Sequence, residues 1–319
     1  MTLTRREMIL GMLGTAVGPA LAEAGGQVGG GLAFGSSWRI VMDDAVPLAQ
    51  VRPMIEAVIV RVDRQMSPFR RHSDLSTFNA ASGLDWQPMP RDICQVASEA
   101  LRVAALTDGA FDPTVGPLVS RFGFGPIKGR SGHFSGVEVA ERALRKVSPG
   151  LTVDLCGIAK GYALDQIVET LELADVANAL VEVGGEVKAL GHHPDGRPWK
   201  LAIVAPQVGA FQAQRIVAPE RFALATSGHT VNGLSGPVAT SHIIDPARDR
   251  PATTGLLSVS VLAPRAMEAD ALATGFCALG PEAGVDLARR LEVSALFIIE
   301  TGSGSKEVTT GGFAKHVLI

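Results

Sequence analysis

One stretch constrains this chain more than any other: Val153-Asp154-Leu155-Cys156-Gly157-Ile158-Ala159-Lys160-Gly161-Tyr162-Ala163. An apolar run carries one carboxylate to its end, and a short turn with two glycines follows. From Tyr162 to Leu171 apolar residues recur at helical spacing. The pattern predicts a strand end, a tight turn and a helix start. Backbone amides at such a place face an anion, and Lys160 adds a positive charge in the turn. Alone, the pattern is that of an ordinary strand-to-helix connection. Its weight comes from the rest of the chain.

Further along, Trp38–Met42 reads as a strand, and Val51–Val62 as a helix with Pro53 in an early turn. Met66–Asn79, with its Ser, Pro and Asn, reads as a loop. Ile93–Leu106 reads as an amphipathic helix ending at Thr107-Asp108-Gly109. Arg121–Gly136 is Gly-rich, basic and without period, which fits a surface insertion or a mobile loop. Ala177–Leu190 is an apolar strand interrupted by Gly184-Gly185. Strands are expected over Pro198–Val204, Arg221–Ala225, Leu256–Leu262, Leu296–Glu300 and Phe313–Leu318, and a helix over Ala266–Leu279. Helices and strands mix without strict alternation. The expected class is α+β, with mixed, mostly antiparallel sheets and flanking helices in a single compact unit. Hydrophobic residues at 46% allow a sizeable core, and a net charge of −3 does not describe a general nucleic-acid binder.

The first 24 residues form a separate segment. Arg5-Arg6 precedes a mild apolar run from Met8 to Val17, and Ala20-Leu21-Ala22 supplies small residues for cleavage. This is the pattern of a twin-arginine export signal, and it predicts a periplasmic protein spanning residues 25–319. The run is too short for a bilayer of ~30 Å hydrocarbon. Cys94, Cys156 and Cys277 are too few and too scattered for a disulfide framework or a zinc site. Cys94 and Cys277 read as core fillers, and a Cys156–Cys277 disulfide stands as the minority reading.

Asp270 and Thr274, four apart on an expected helix, place a carboxylate and a hydroxyl on one face. Hard divalent cations want such oxygens. A buried Asp that caps backbone, with a Thr bonded to its own helix, gives the same spacing. His242 precedes Ile243-Ile244-Asp245-Pro246; a neutral imidazole accepts a hydroxyl proton, and a lone histidine is also a common structural residue. Asp245 either orients it or caps the next turn.

The stretch that opens at Val153 resembles the signature of the ApbE-type FAD:protein FMN transferases. Four other segments resemble that family in the same order: Met66–Asn79, Gly109–Leu118, Ser241–Pro246 and Ala269–Thr274. The resemblance covers roughly residues 30–319. It implies that Asp270 and Thr274 bind Mg²⁺ together with Gly157, with Ala273 adding a main-chain contact. It implies a base near His242. It places Phe34 and Phe69 against the flavin or adenine ring, and Ala110, Phe111 and Asp112 along the nucleotide, with Ile244 in the same site. Asp112 and Asp154 would receive hydrogen bonds from ribose or the adenine amine, and Lys160 would offset phosphate charge. Cys156 and His229 depart from the family pattern. The implied activity is Mg²⁺-dependent transfer of FMN from FAD to a Ser or Thr of an acceptor flavoprotein, with at most peripheral contact with membrane proteins. Hydrolysis of FAD to FMN and AMP, and a flavin carrier without turnover, are the alternatives.

Overall fold

Alternation along the strands builds one sheet with two apolar faces. In β2 (Ser36–Met42), Trp38, Ile40 and Met42 enter one buried cluster while Val41 enters another. Leu296 and Ile298 part in the same way from Ala295, Phe297 and Ile299. A period of two sends neighbouring side chains to opposite faces, so both faces must be covered. The computed structural model describes residues 26–206, 212–229, 241–252 and 255–319. The export-signal segment lies outside them.

The described chain opens on the hairpin β1 (Gln27–Ala33)–β2. Then come α1 (Leu48–Met66), α2 (Asp74–Ala80), β3 (Gln87–Pro88), α3 (Arg91–Leu106) and α4 (Gly116–Arg121). The hairpin β4 (Val137–Ala140)–β5 (Ala143–Lys146) precedes α5 (Ala159–Leu173). Next are β6 (Ala179–Val183), β7 (Glu186–Leu190), β8 (Leu201–Val204), β9 (Ala213–Val217) and β10 (Ala223–Gly228). The short β11 (Ile244–Asp245) and β12 (Arg250–Pro251) lead to β13 (Leu256–Ala263), α6 (Ala266–Leu279) and α7 (Pro281–Arg290). The last strands are β14 (Ser294–Thr301) and β15 (Gly304–Thr310).

Eight strands form the main sheet in the order β1-β2-β6-β7-β10-β13-β14-β15. Every strand pair in it is antiparallel. Helices α1, α3, α5 and α6 bury one face. Trp199, the β8–β9 hairpin and Phe313 cover the other. The expected class, mixed helices with mostly antiparallel sheets in a single domain, is the observed one.

Helix α6 is apolar almost all round, which fits an element enclosed by protein. It packs on α5, β10 and β13. The α5–α6 approach is set by Gly161. A Cβ there would lie 2.3 Å from the Ala266 carbonyl oxygen. The first amides of α6 have no side-chain cap of their own; Asp165 of α5 caps them instead, accepting from Ala266 N at 2.9 Å and Met267 N at 3.0 Å. Lys188 of β7 pairs with that same carboxylate at 2.8 Å.

Several expectations differ from the structure. The second half of Met66–Asn79 is helix α2, started by Ser73, whose hydroxyl accepts from Ser76 N at 3.0 Å. The Ala177–Leu190 run is a hairpin, with Gly184 and Gly185 at positive φ in its two-residue turn. Phe313–His316 is a 3-10 turn, and only Val317 makes a bridge, to Val217. Strand β1, rich in glycine, and the amphipathic helix α7, which buries Val285, Leu287 and Ala288, were not expected. Val153-Asp154 belongs to no strand. Asn79 replaces the neighbour: its Nδ2 donates to Val153 O, and its Oδ1 accepts from Val153 N, both at 2.8 Å. All three cysteines are free, so the Cys156–Cys277 disulfide is not formed.

The α5–α6 contact leads to a prediction. Gly161→Ala must push α5 from α6, because backbone rather than a flexible side chain meets the new methyl. Urea denaturation should show a loss of about 2–3 kcal/mol. A loss below ~0.5 kcal/mol, within the range of an ordinary surface substitution, would show that the two helices slide apart freely.

Candidate active site

The close α5–α6 approach brings the turn at Gly157–Gly161 against Asp270. Asp270 is 3% exposed, and its Oδ2 accepts from Gly161 N at 3.1 Å. Thr274 stands one turn further along α6, its Oγ1 3.2 Å from Ser227 Oγ at the end of β10. Gly157 faces the same hydroxyl: a Cβ there would lie 3.5 Å from Thr274 Oγ1 and 3.1 Å from the Phe111 ring. Carboxylate, hydroxyl and glycine turn therefore share one place. Ala273 is fully buried beside them in α6.

The Phe111–Thr114 segment lines this turn from the other side. Asp154 N donates to Pro113 O at 2.7 Å, and Asp154 Oδ1 accepts from Cys156 N at 2.9 Å. Asp112 is committed to its own loop. Its Oδ1 takes both the N–H and the hydroxyl of Thr114 at 2.7 Å, and its Oδ2 takes Phe134 N at 3.1 Å. Ala110 stands in the turn after α3, its N–H donating to Thr107 O.

The charges are buried and mixed. Lys160 Nζ reaches Glu186 Oε1 at 2.5 Å. Burial works against the Lys160 charge, but Glu186 and Asp270 outweigh it and hold the ammonium above its ordinary range. Burial also pushes the Asp270 carboxyl up, against the pull of Lys160 and the Gly161 N–H. Burial pushes the Glu186 carboxyl up, while the Lys160 ammonium paired with it favours the ionised form. Cys156 is exposed; desolvation at its thiol, then the Asp154 charge, push that thiol well above its usual value.

His242 is half-buried, its ring edge-on to Phe124 at 6.1 Å, and its Nδ1 has no partner among the described residues. Burial, with help from His229 and Lys160, holds it at about 4. It is a neutral imidazole near pH 7. His229 bridges Ser241 Oγ at 2.6 Å and Cys277 Sγ at 3.5 Å. Asp245 caps the following turn: Oδ1 accepts from Arg248 N at 3.2 Å, and Oδ2 pairs with Arg248 Nη1 at 2.6 Å. Ile244 is buried in β11. Phe34 lies at the tip of the first hairpin with φ 51° and packs against the core. Phe69 is 71% exposed, in the turn between α1 and α2.

Comparisons with known proteins identify the family. The family model described as the ApbE family matches residues 34–297. The chain belongs to the ApbE family. The FAD:protein FMN transferase of Vibrio cholerae is 37% identical over 275 residues, covering 81% of this chain and 82% of that protein. That of Haemophilus influenzae is 33% identical, covering 82% of each. The solved flavin transferase ApbE from Vibrio cholerae superposes with a TM-score of 0.82 at 33% identity, over 91% of this chain and 98% of that one. ApbE membership matches the resemblance read from the five motifs.

For a cation the donor set fits Mg²⁺. Asp270 keeps Oδ1 outside its hydrogen bond to Gly161, and Thr274 adds a hard oxygen. Sequence reading overlooked Glu186 and Ser227, which carry no motif signal beyond a carboxylate after Gly-Gly and a hydroxyl at a strand end.

His242 gives a pH prediction. Its folded pKa is about 4, below the ordinary 6.5. Between those values the unfolded chain binds a proton that the folded chain refuses, so stability falls as pH falls through that window. Replacing His242 by Gln should reduce the loss of stability between pH 6.5 and 4.5 by roughly 2 kcal/mol, from the shift in pKa. Parallel wild-type and variant curves in urea melts would assign the slope to another group.

Proposed function

We propose that this chain, a flavin transferase by family, moves FMN from FAD to a Ser or Thr hydroxyl of an acceptor flavoprotein with Mg²⁺ bound at Asp270, Thr274 and the Gly157 turn. The observation that carries the reading is the buried Asp270–Thr274 pair facing the glycine turn. The cation would neutralise charge developing on the pyrophosphate. Lys160 supplies a second positive charge there. His242 accepts the proton of the acceptor hydroxyl on an unprotonated ring nitrogen, as a neutral imidazole can. The hydroxyl oxygen bonds to the flavin-side phosphorus, the phosphorus bond to AMP breaks, and AMP leaves with the electron pair. Phe34 and Phe69 offer rings for stacking on the flavin or adenine, Phe111 would line the nucleotide, and Asp154 offers a carboxylate for ribose or the adenine amine.

Mass spectrometry of a purified acceptor flavoprotein, incubated with the protein, FAD and Mg²⁺, tests this. The acceptor should gain the mass of FMN less one water, the increment of a phosphoester, and AMP should appear in equal amount. FMN and AMP released with no labelled acceptor would mean hydrolysis; bound FAD left intact would mean a carrier. Asp270→Ala should abolish metal-dependent turnover with the fold retained. His242→Ala should lower turnover about 10²–10⁴-fold with FAD affinity nearly unchanged.

Export by the twin-arginine route to the periplasm belongs to the same proposal, and Arg5-Arg6 supports it. Among the described residues no helix is long and apolar enough to cross a membrane. Changing both arginines to Lys should strand the precursor in the cytoplasm, read by fractionation. Unchanged export would point to the general secretory route.

A further inference from the structure

Glu186 has no role in the chemistry above, yet it is a carboxylate with 2% of its surface exposed, at the start of β7. A charge so buried is retained only with compensation. Its Oε1 takes Lys160 Nζ at 2.5 Å, while Oε2 has no hydrogen-bond partner among the described residues. The glycine turn before it makes the pairing sterically feasible. Gly184 has φ 62°, and a Cβ there would lie 3.1 Å from Lys160 Cδ and 3.6 Å from Glu186 Oε2. The lysine stem thus crosses the turn where there is no side chain. Lys160 also precedes Gly161, whose N–H is on Asp270, and its charge is felt by that carboxylate. One lysine is paired with one buried carboxylate, and its charge acts on a second.

That arrangement settles a conflict. Asp270 with Lys160 alone is formally neutral, and the ammonium would compete with a divalent cation for the one carboxylate. Glu186 restores a formal charge of −1 and gives the ammonium another partner. We infer that Glu186 is a positioning residue that holds Lys160 away from Asp270, so that the site binds a divalent cation while still carrying a lysine. This rests on the reading of Asp270 as a metal ligand.

The test is Mn²⁺ binding alone, followed by electron paramagnetic resonance without FAD. Asp270→Ala comes first: if it binds Mn²⁺ as the wild type does, the ligand reading itself fails, and with it the inference. If it does not, Glu186→Gln should weaken Mn²⁺ binding about tenfold or more, the effect of some 1.4 kcal/mol. Adding Lys160→Met to Glu186→Gln removes the competitor and leaves Asp270 with the wild-type formal charge. That double variant should return to within about threefold of wild type. A residue that merely props the turn would give loss in both variants, and this result overturns the inference. So does an unchanged affinity in Glu186→Gln. Should Glu186→Gln fail to fold by its thermal melt, the double variant decides alone: near-wild-type Mn²⁺ affinity supports the inference, and a tenfold loss overturns it.

Discussion

The contact between Gly161 and the first turn of α6 is the constraint on which the rest of the site depends. Two helices come so near that the Gly161 amide reaches the Asp270 carboxylate. Asp165 locks the same junction one turn further along α5, by capping α6 from outside. The carboxylate is fixed by backbone on one side and by its own buried helix on the other. Pre-set geometry of this kind is what a metal or phosphate site needs, since reorganisation during reaction is costly.

A second device holds the loop that leads into this junction. Asn79 serves Val153 in place of a neighbouring strand. Lys146, fully buried, donates to the carbonyls of Phe78, Asn79 and Leu151 at 3.2–3.3 Å and lies over the Phe78 ring. Burial lowers the pKa of its ammonium. Three carbonyls from two separate segments converge on one side chain. The end of α2 and the approach to Asp154 are thereby tied together, and Asp154 reaches the Gly157 turn from a fixed direction. Here polar side chains do what ladder hydrogen bonds do in a sheet.

How much of this was legible in the sequence follows from which interactions are periodic. The strands β2, β10, β13 and β14 and the helices α1, α3, α5 and α6 show in their apolar spacing, because one face of each meets a core. Asp270 and Thr274 were legible as a spaced pair on one helix, and only the resemblance to the family joined Gly157 to them. Glu186, Asn79 and Lys146 were not. Their partners lie 26, 74 and 68 positions away, at Lys160, Val153 and Phe78, and no local pattern encodes such pairing. Helix α2 was hidden because its signal is a serine cap within a Ser- and Pro-containing stretch. The Val153 run looked like a strand because it is apolar and extended, and only the Asn79 side chain shows that no strand lies beside it.

The order of strands in the main sheet bears on how the chain reaches this state. Strand β2 pairs with β6, so that Met42 lies opposite Ala179. Everything from α1 to α5 must be made before that seam closes. Until then the β1–β2 hairpin keeps an unpaired inner edge, with Trp38 and Ile40 waiting for their cover. Closing so long a loop is paid in entropy before any contact repays it, which slows folding towards milliseconds or longer. The Asp270 side chain arrives later still, more than ninety positions further on. The junction of Gly161 with Asp270 is therefore among the last parts of the molecule to exist, and a nascent chain shorter than α6 lacks it altogether.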